Sequence, residues 1–244
     1  MSGAGVAVLF ARGDSVYHSI AAADVFDVAR DARTYAGSLP VVAHPPCRAW
    51  GRLRHFAKPR HDEKALALFA VEQVRRCGGV LEHPAQSTLW SAAGLPALGG
   101  GFDSFGGWTL GVKQFDFGHR ADKATWLYIV GVQPGQVCRL PFELGYAPCV
   151  VETRKKDGYV RPSVSKKERE ATPVAFAHWL IDLASLAGSK ADLPELSDQA
   201  ALAAANEPKD LAVQSGICAK GFPASNTSRS LPNWQDCLAV RGKN

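Results

Sequence analysis

Two residues best suited to chemistry, a cysteine and a glutamate, each stand where an apolar run breaks off against proline. Cys47 follows His44, Pro45 and Pro46. The prolines forbid a helix and stop a strand, which puts the sulfur in a rigid loop. His44 and Arg48 lie beside it in sequence, and such neighbours can favour the thiolate, the nucleophilic form of sulfur. Glu82 precedes His83 and Pro84. It can donate or accept a proton or hydrogen-bond a heterocycle, according to how far burial raises its pKa. A nucleophile paired with a carboxyl group suits chemistry on a pyrimidine. The alternative is a buried inert cysteine and a surface glutamate, and the residues alone leave both open.

The elements that must position this pair are legible as periodicity. Gly5 to Phe10 is a short apolar run that ends in the polar turn Ala11 to Ser15, and Leu39 to Ala43 is a second run leading into the Cys47 loop. Both read as buried strands. Asp62 to Arg76 has helical apolar spacing and stops at Gly78 and Gly79; Val80 and Leu81 then begin a strand expected to end at Glu82. Strand, polar loop and helix in this order predict an α/β fold, Rossmann-like, with a mostly parallel open sheet and helices on both faces. Ligands bind such sheets outside the carboxyl ends of the strands, so Asp14, Cys47 and Glu82 are expected on one rim. Leu95 to Gly107, rich in Gly and Pro, reads as a mobile surface loop. Trp108 to Phe117 and Thr125 to Val130 resume strand character, and Pro173 to Leu186 reads as a buried helix. Residues 1–186 are therefore expected to form a single domain. Residues 187–244 are expected to be a loosely structured appendage on which Trp234 and Leu238 can dock.

Composition narrows the classes. The 244 residues, 46% hydrophobic and 21% charged, suit one well-buried core. No apolar run reaches the ~18 residues of a membrane span. The start, Met1 to Gly5, has no basic region ahead of a hydrophobic stretch. The expectation is a cytoplasmic protein with no membrane partner. The six cysteines include no CxxC pair, which points to reduced thiols rather than a zinc ribbon. The net charge of +5 is modest, but Arg48, Arg52, Arg54, His55, Lys58, Arg60 and His61 crowd one segment. That segment is either a solvated loop or a phosphate-binding face.

The segments Val41 to Cys47 and Gly79 to Pro84 resemble the cytosine-5 methyltransferases, which carry a Pro-Pro-Cys loop after a strand, then a helix, then a strand ending in glutamate. Phe117 to Tyr128 is similar to a later block of that family with a basic residue, Thr and Leu on a strand. Ala171 to Leu180 sits where the family has its closing helix, so the resemblance spans residues 5–186. It implies that Cys47 adds to C6 of a cytosine, that Glu82 holds N3 and the exocyclic amine, and that C5 takes a methyl group from S-adenosylmethionine. Arg120 or Lys123 would steady the substrate, and His44, Pro46, Arg48, Trp50 and His83 would line its site; of Trp50, Trp90, Trp108 and Trp126, whose ordinary role is core packing, Trp50 is the one best placed to stack on a base. Phe10, Gly13, Asp14 and Ser15 would border the cofactor, with Asp27 or Asp31 on its ribose. Where the family has Phe-x-Gly-x-Gly, this chain has a single glycine, Gly13, and His83 replaces the family's Asn. The region between Leu127 and Ser163 leaves no room for a large target-recognition insertion. The implied partner is therefore a nucleotide, or nucleic acid that is single-stranded or has its base flipped out. The compact form also resembles proteins encoded by phages and prophages, which implies DNA or nucleotide modification in a host cytoplasm.

Three other classes stay open. A zinc deaminase needs His-x-Glu and Pro-Cys-x-x-Cys, but Glu82 directly precedes His83 and Trp50 stands three after Cys47. A metal site from His44, Cys47, Cys77 and His83 has suitable ligand types without a known spacing, and no metal is expected. A deoxynucleoside glycosyl-transfer enzyme would use Glu82 as nucleophile. A non-catalytic protein that binds a nucleotide or a host factor would need neither residue.

Overall fold

The computed structural model describes residues 5–151 and 161–188. The chain divides into two units, residues 1–195 and 196–244, and all described residues belong to the first. Beyond Gly188 the expected appendage, with Trp234 and Leu238, lies outside the described residues.

Six strands form one mixed sheet: β1 Val6–Leu9, β2 Ala23–Phe26, β3 Val41–Ala43, β4 Gly79–Pro84, β5 Trp108–Lys113 and β6 Ala124–Val130. Their spatial order is β2-β1-β3-β4-β6-β5. The pairings β1–β2, β1–β3 and β3–β4 are parallel. Strand β6 is antiparallel to both its neighbours, β4 and β5, so it alone runs against the other five. The helices are α1 Glu63–Cys77, α2 Leu89–Ala92, α3 Lys166–Glu170 and α4 Val174–Gly188.

Because strand side chains alternate between faces, the apolar runs feed two cores at once. Val6, Val8, Val42, Val80, Leu127 and Ile129 pack against Phe176, Leu180 and Leu183 of α4. Ala7, Leu9, Val41, Ala43, Leu81 and Tyr128 pack against Ala67, Ala70, Val71 and Val74 of α1. Helix α1 ends where read: Gly78, at φ 73°, donates its N–H to Val74 O at 2.9 Å, a conformation glycine adopts without a Cβ penalty.

The structure departs from the sequence reading in three places. The repeated strand–helix order is not kept, because β1–β2 and β2–β3 are joined through 3-10 turns at Val16–Ser19 and Ala32–Thr34, and β2 itself has no long apolar run. Strand β4 continues through Glu82, His83 and Pro84, which pair with Leu127, Trp126 and Thr125 of β6. Finally, α4 runs to Gly188, past the boundary expected at 186. Residues 95–107 are hydrogen-bonded to the sheet at Pro96 and at Asp103. Thr109 Oγ1 donates to Pro96 O at 2.6 Å, and Asp103 accepts from Phe105 N, Gly107 N and Tyr128 Oη at 2.7–2.9 Å.

From β1 the chain moves to one side for β2 and returns to the other for β3. The crevice between the carboxyl ends of β1 and β3 is therefore a topological switch point, where open α/β sheets bind ligands. Among the described residues no helix is long and apolar enough to cross a membrane.

Candidate active site

A cleft of about 1390 Å³ opens at that switch point. Its floor comes from the three central strand ends: Phe10 to Tyr17 (except Gly13) after β1, His44 to Arg48 after β3, and Glu82 on β4. The His44 N–H donates to Leu9 O at 3.0 Å, which pins the Cys47 loop to β1. Cys47 O accepts from Trp50 N at 3.0 Å and Gly51 N at 2.7 Å, turning the chain directly after the sulfur. Asp14, Cys47 and Glu82 thus share one cleft.

Glu82 sits at the centre of a hydrogen-bond chain. Tyr17, fully buried, places its hydroxyl 2.9 Å from His44 Nε2, and His44 Nδ1 lies 3.0 Å from Glu82 Oε2. A carboxylate only accepts, so His44 directs an Nδ1–H at it. On the other oxygen, Gln114 Nε2 donates to Glu82 Oε1 at 3.1 Å and also to Thr125 Oγ1 at 3.1 Å. Burial pushes the Glu82 carboxyl up, but the hydrogen bond and charge of His44, followed by Lys123 and His83, outweigh it and hold the group at about 2. Tyr17, desolvated and facing that negative charge, is held well above the usual phenol range.

Cys47 behaves differently from the sequence expectation. Burial, then the Glu82 charge, pushes its thiol up, with Lys123 partly offsetting them. Arg48 does not serve the sulfur, because its guanidinium is turned to Glu63 at the start of α1, with Nε 3.2 Å from Oε2 and Nη2 on Oε1. Lys123 lines the cleft at φ 37° and donates from Nζ to Ala171 O at 2.8 Å. Burial lowers its pKa while Glu82 and Cys47 pull it back up.

Of the residues read from sequence, Phe10, Asp14, Ser15, His44, Pro46, Cys47, Arg48, Glu82 and Lys123 line the cleft. Arg120, Trp50, His83, Gly13 and Asp27 do not. Arg120 is spent on Glu168, with two bonds of 2.7 and 2.6 Å. Trp50 is buried in the α1-side core at 7% exposure rather than offered to a base. His83 follows Glu82 on β4, and alternation sends its ring to the opposite face, fully buried near Trp90, where desolvation pushes its pKa down to about 4. Gly13 and Asp27 meet beside the cleft, at the end of β2: a Cβ at Gly13 would stand 3.9 Å from Asp27 Oδ2. Asp27 Oδ1 accepts from the N–H groups of Ala29 and Arg30, and Oδ2 lies 3.6 Å from His18. Asp31 turns away, capping Arg33 N with its own side chain.

Tyr17 and Gln114 are not singled out by the sequence, whereas Thr125 is the Thr of the block 117–128. Tyr17 lies in an unpatterned turn. Gln114 reaches Glu82, and Thr125 reaches Gln114, only because β6 inserts between β4 and β5. The cleft walls add Arg12, Arg52, Arg54, Arg161, Lys166, Lys167 and Arg169 to Arg48 and Lys123, against the carboxylates Asp14, Glu82, Asp122 and Glu170. Arg12 bridges Asp14 and Glu170, each at 2.8 Å, which fastens α3 across the β1 turn. Among the described residues no three His, Cys, Asp or Glu side chains stand together as a metal-holding group; in particular, Cys77 lies at the far end of α1, its sulfur donating to Gly37 O at 3.5 Å. No family model, no curated protein and no solved structure matches the chain.

Proposed function

We propose that this cleft modifies a pyrimidine base, in DNA or a nucleotide, in the manner of the cytosine-5 methyltransferases. One observation carries the reading: Cys47, in the loop after β3, and Glu82, on the neighbouring parallel strand β4, face a single cleft whose walls hold nine Lys and Arg side chains against four carboxylates. The cationic excess suits a phosphate-bearing substrate. Cys47 Sγ bonds to C6, the electron pair of the C5–C6 bond shifts through C4 to N3, and N3 takes up the proton that the thiol gives up. Glu82, oriented by His44 and Gln114, accepts hydrogen bonds from the exocyclic amine and from N3 once it is protonated. Lys123 supplies positive charge beside both groups. Once C5 is substituted, its proton passes to water, the C5–H electron pair re-forms the C5–C6 bond, and Cys47 Sγ departs and recovers the proton from N3.

S-adenosylmethionine, when bound, supplies an electrophilic methyl group. The residues fit its nucleoside part. Among the described residues Asp27 Oδ2 takes no backbone hydrogen bond; it lies 3.6 Å from His18 Nε2, with Gly13 beside it. The β1 and β2 ends lie side by side, and Phe10, at φ 63°, turns the chain between that corner and the cleft.

The test is a trap. A single-stranded oligonucleotide carrying 5-fluoro-2′-deoxycytidine is incubated with the protein and S-adenosylmethionine, because fluorine at C5 cannot leave as a proton does and so holds the sulfur on C6. The expected result is an adduct by intact mass, mapped to Cys47 and absent in Cys47→Ala. Calorimetric binding of S-adenosylmethionine, weakened in Asp27→Ala, should accompany it. No adduct and no cofactor binding would overturn the reading.

A second reading has its own support. Glu82 is held ionised and oriented by two donors, as a nucleophilic carboxylate must be, while the Cys47 thiol is held protonated. That arrangement suits glycosyl transfer on a deoxynucleoside. A 2′-fluorinated nucleoside leaving its sugar on Glu82, with Cys47 unlabelled, would decide for it.

A further inference from the structure

The segment between Cys47 and α1 carries an aromatic ring that takes no part in the chemistry proposed at Cys47 and Glu82. From Cys47 the chain advances as linked reverse turns: Gly51 N donates to Cys47 O at 2.7 Å, Arg54 N to Gly51 O at 3.0 Å and Phe56 N to Leu53 O at 2.9 Å. Leu53, Arg54 and Ala57 line the cleft, and Phe56 falls between them in the chain without lining it. The ring stays in solvent, 86% exposed. A phenylalanine withheld from the core forgoes roughly 1.5–3 kcal/mol of burial. Its neighbours are cationic. Arg60 is held by Asp62 at 3.1 Å, while Arg54 makes no ion pair among the described residues.

Alternating cations and an exposed aromatic ring provide what an unpaired strand needs: a face for a base and charges for the phosphates on either side. The cleft's size agrees. At about 1390 Å³ it exceeds the ~300–1,000 Å³ typical of small-molecule sites and leaves room for more than one nucleotide. A duplex offers no free base face, since each base is already stacked on its neighbours.

We propose that Phe56, with Arg54, is a stacking platform for the nucleotide that neighbours the base held at Cys47, so that the polymer this cleft takes is a single strand. This rests on the cleft holding a pyrimidine base, and is independent of which bond is made there.

Fluorescence polarisation of a labelled pyrimidine-rich DNA strand of about 12 nucleotides tests it, alone and annealed to its complement, on the wild type, Phe56→Ala and Phe56→Trp. The strand is expected to bind more tightly than the duplex. Phe56→Ala should lose about tenfold or more, in line with the ~1–3 kcal/mol of one base–aromatic stack, and Phe56→Trp should retain the affinity. Because the ring is exposed, Phe56→Ala should keep the wild-type circular dichroism spectrum. Equal affinity for strand and duplex, or unchanged binding by Phe56→Ala, would overturn the platform. The fluoropyrimidine trap reads separately: a Cys47 adduct with unchanged Phe56→Ala binding removes the platform alone, whereas stacking-dependent binding without an adduct removes the reaction alone.

Discussion

Glu82 and His83 are consecutive, yet they titrate in separate windows because β4 sends them to opposite faces. The Glu82 carboxyl, ordinarily near 4.5, is held at about 2 in the fold. Its contribution is present above the unfolded pKa and lost as pH falls from about 4.5 to about 2, on the order of 3 kcal/mol. The buried His83 ring, ordinarily near 6.5, is pushed down to about 4. The unfolded chain takes up that proton first, so stability is also lost between about pH 6.5 and 4, by a similar order. Urea denaturation from pH 8 to pH 3 should show His83→Leu flattening the upper window and Glu82→Gln the lower. Unchanged slopes would refute the assignment. The Cys47 thiol, raised by burial and by Glu82, should alkylate slowly at neutral pH, with a rate still rising above pH 9. In Glu82→Gln, where the negative neighbour is gone, the Cys47 peptide should label faster, as mass spectrometry of iodoacetamide-treated protein would show.

At the scale of elements, β4 is the strand on which the site depends, and its start has no room for a side chain. Gly79, at φ +113°, would place a Cβ into the Val41 carbonyl and 2.6 Å from the Val41 nitrogen. Gly79→Ala should therefore cost more than about 3 kcal/mol by urea denaturation, or leave the protein insoluble, because the clash is with the backbone of the adjacent strand. A milder change tests the segment before β5. Trp90 Nε1 donates to Thr109 Oγ1 at 2.8 Å, and Thr109 Oγ1 in turn donates to Pro96 O at 2.6 Å. Thr109→Val should lose about 1–3 kcal/mol in the same measurement, since a buried donor and acceptor are both left unpaired. Strands β1 and β3 and helices α1 and α4 were legible from apolar runs and 3.6-residue spacing. Strand β2 was not, because Ala23, Asp24 and Val25 are only partly buried at the sheet edge. Nor was the length of β4, since its last three residues are strand only by virtue of their pairing with β6.

For the whole molecule, the governing property is the charge imbalance of the cleft, which the modest net charge of +5 conceals. If about four phosphates are neutralised there, single-strand affinity should fall roughly 50-fold between 50 and 200 mM salt, whereas a mononucleotide should weaken far less. Polarisation across a salt series measures this directly, and a flat series would count against a polymeric substrate. The sequence by itself determined that Cys47 follows a buried strand in a proline-held loop and that a second buried strand leads into Glu82, because proline and apolar periodicity act locally. It also located the basic segment after Cys47. Only the tertiary structure decided which residues attend the pair. Tyr17 and Gln114 reach His44 and Glu82 across 27 and 32 positions of chain. Arg48 and Arg120, charges the sequence offered to the site, are instead claimed by Glu63 and Glu168. Such pairings follow from strand order and from the insertion of β6, and no local spacing encodes them.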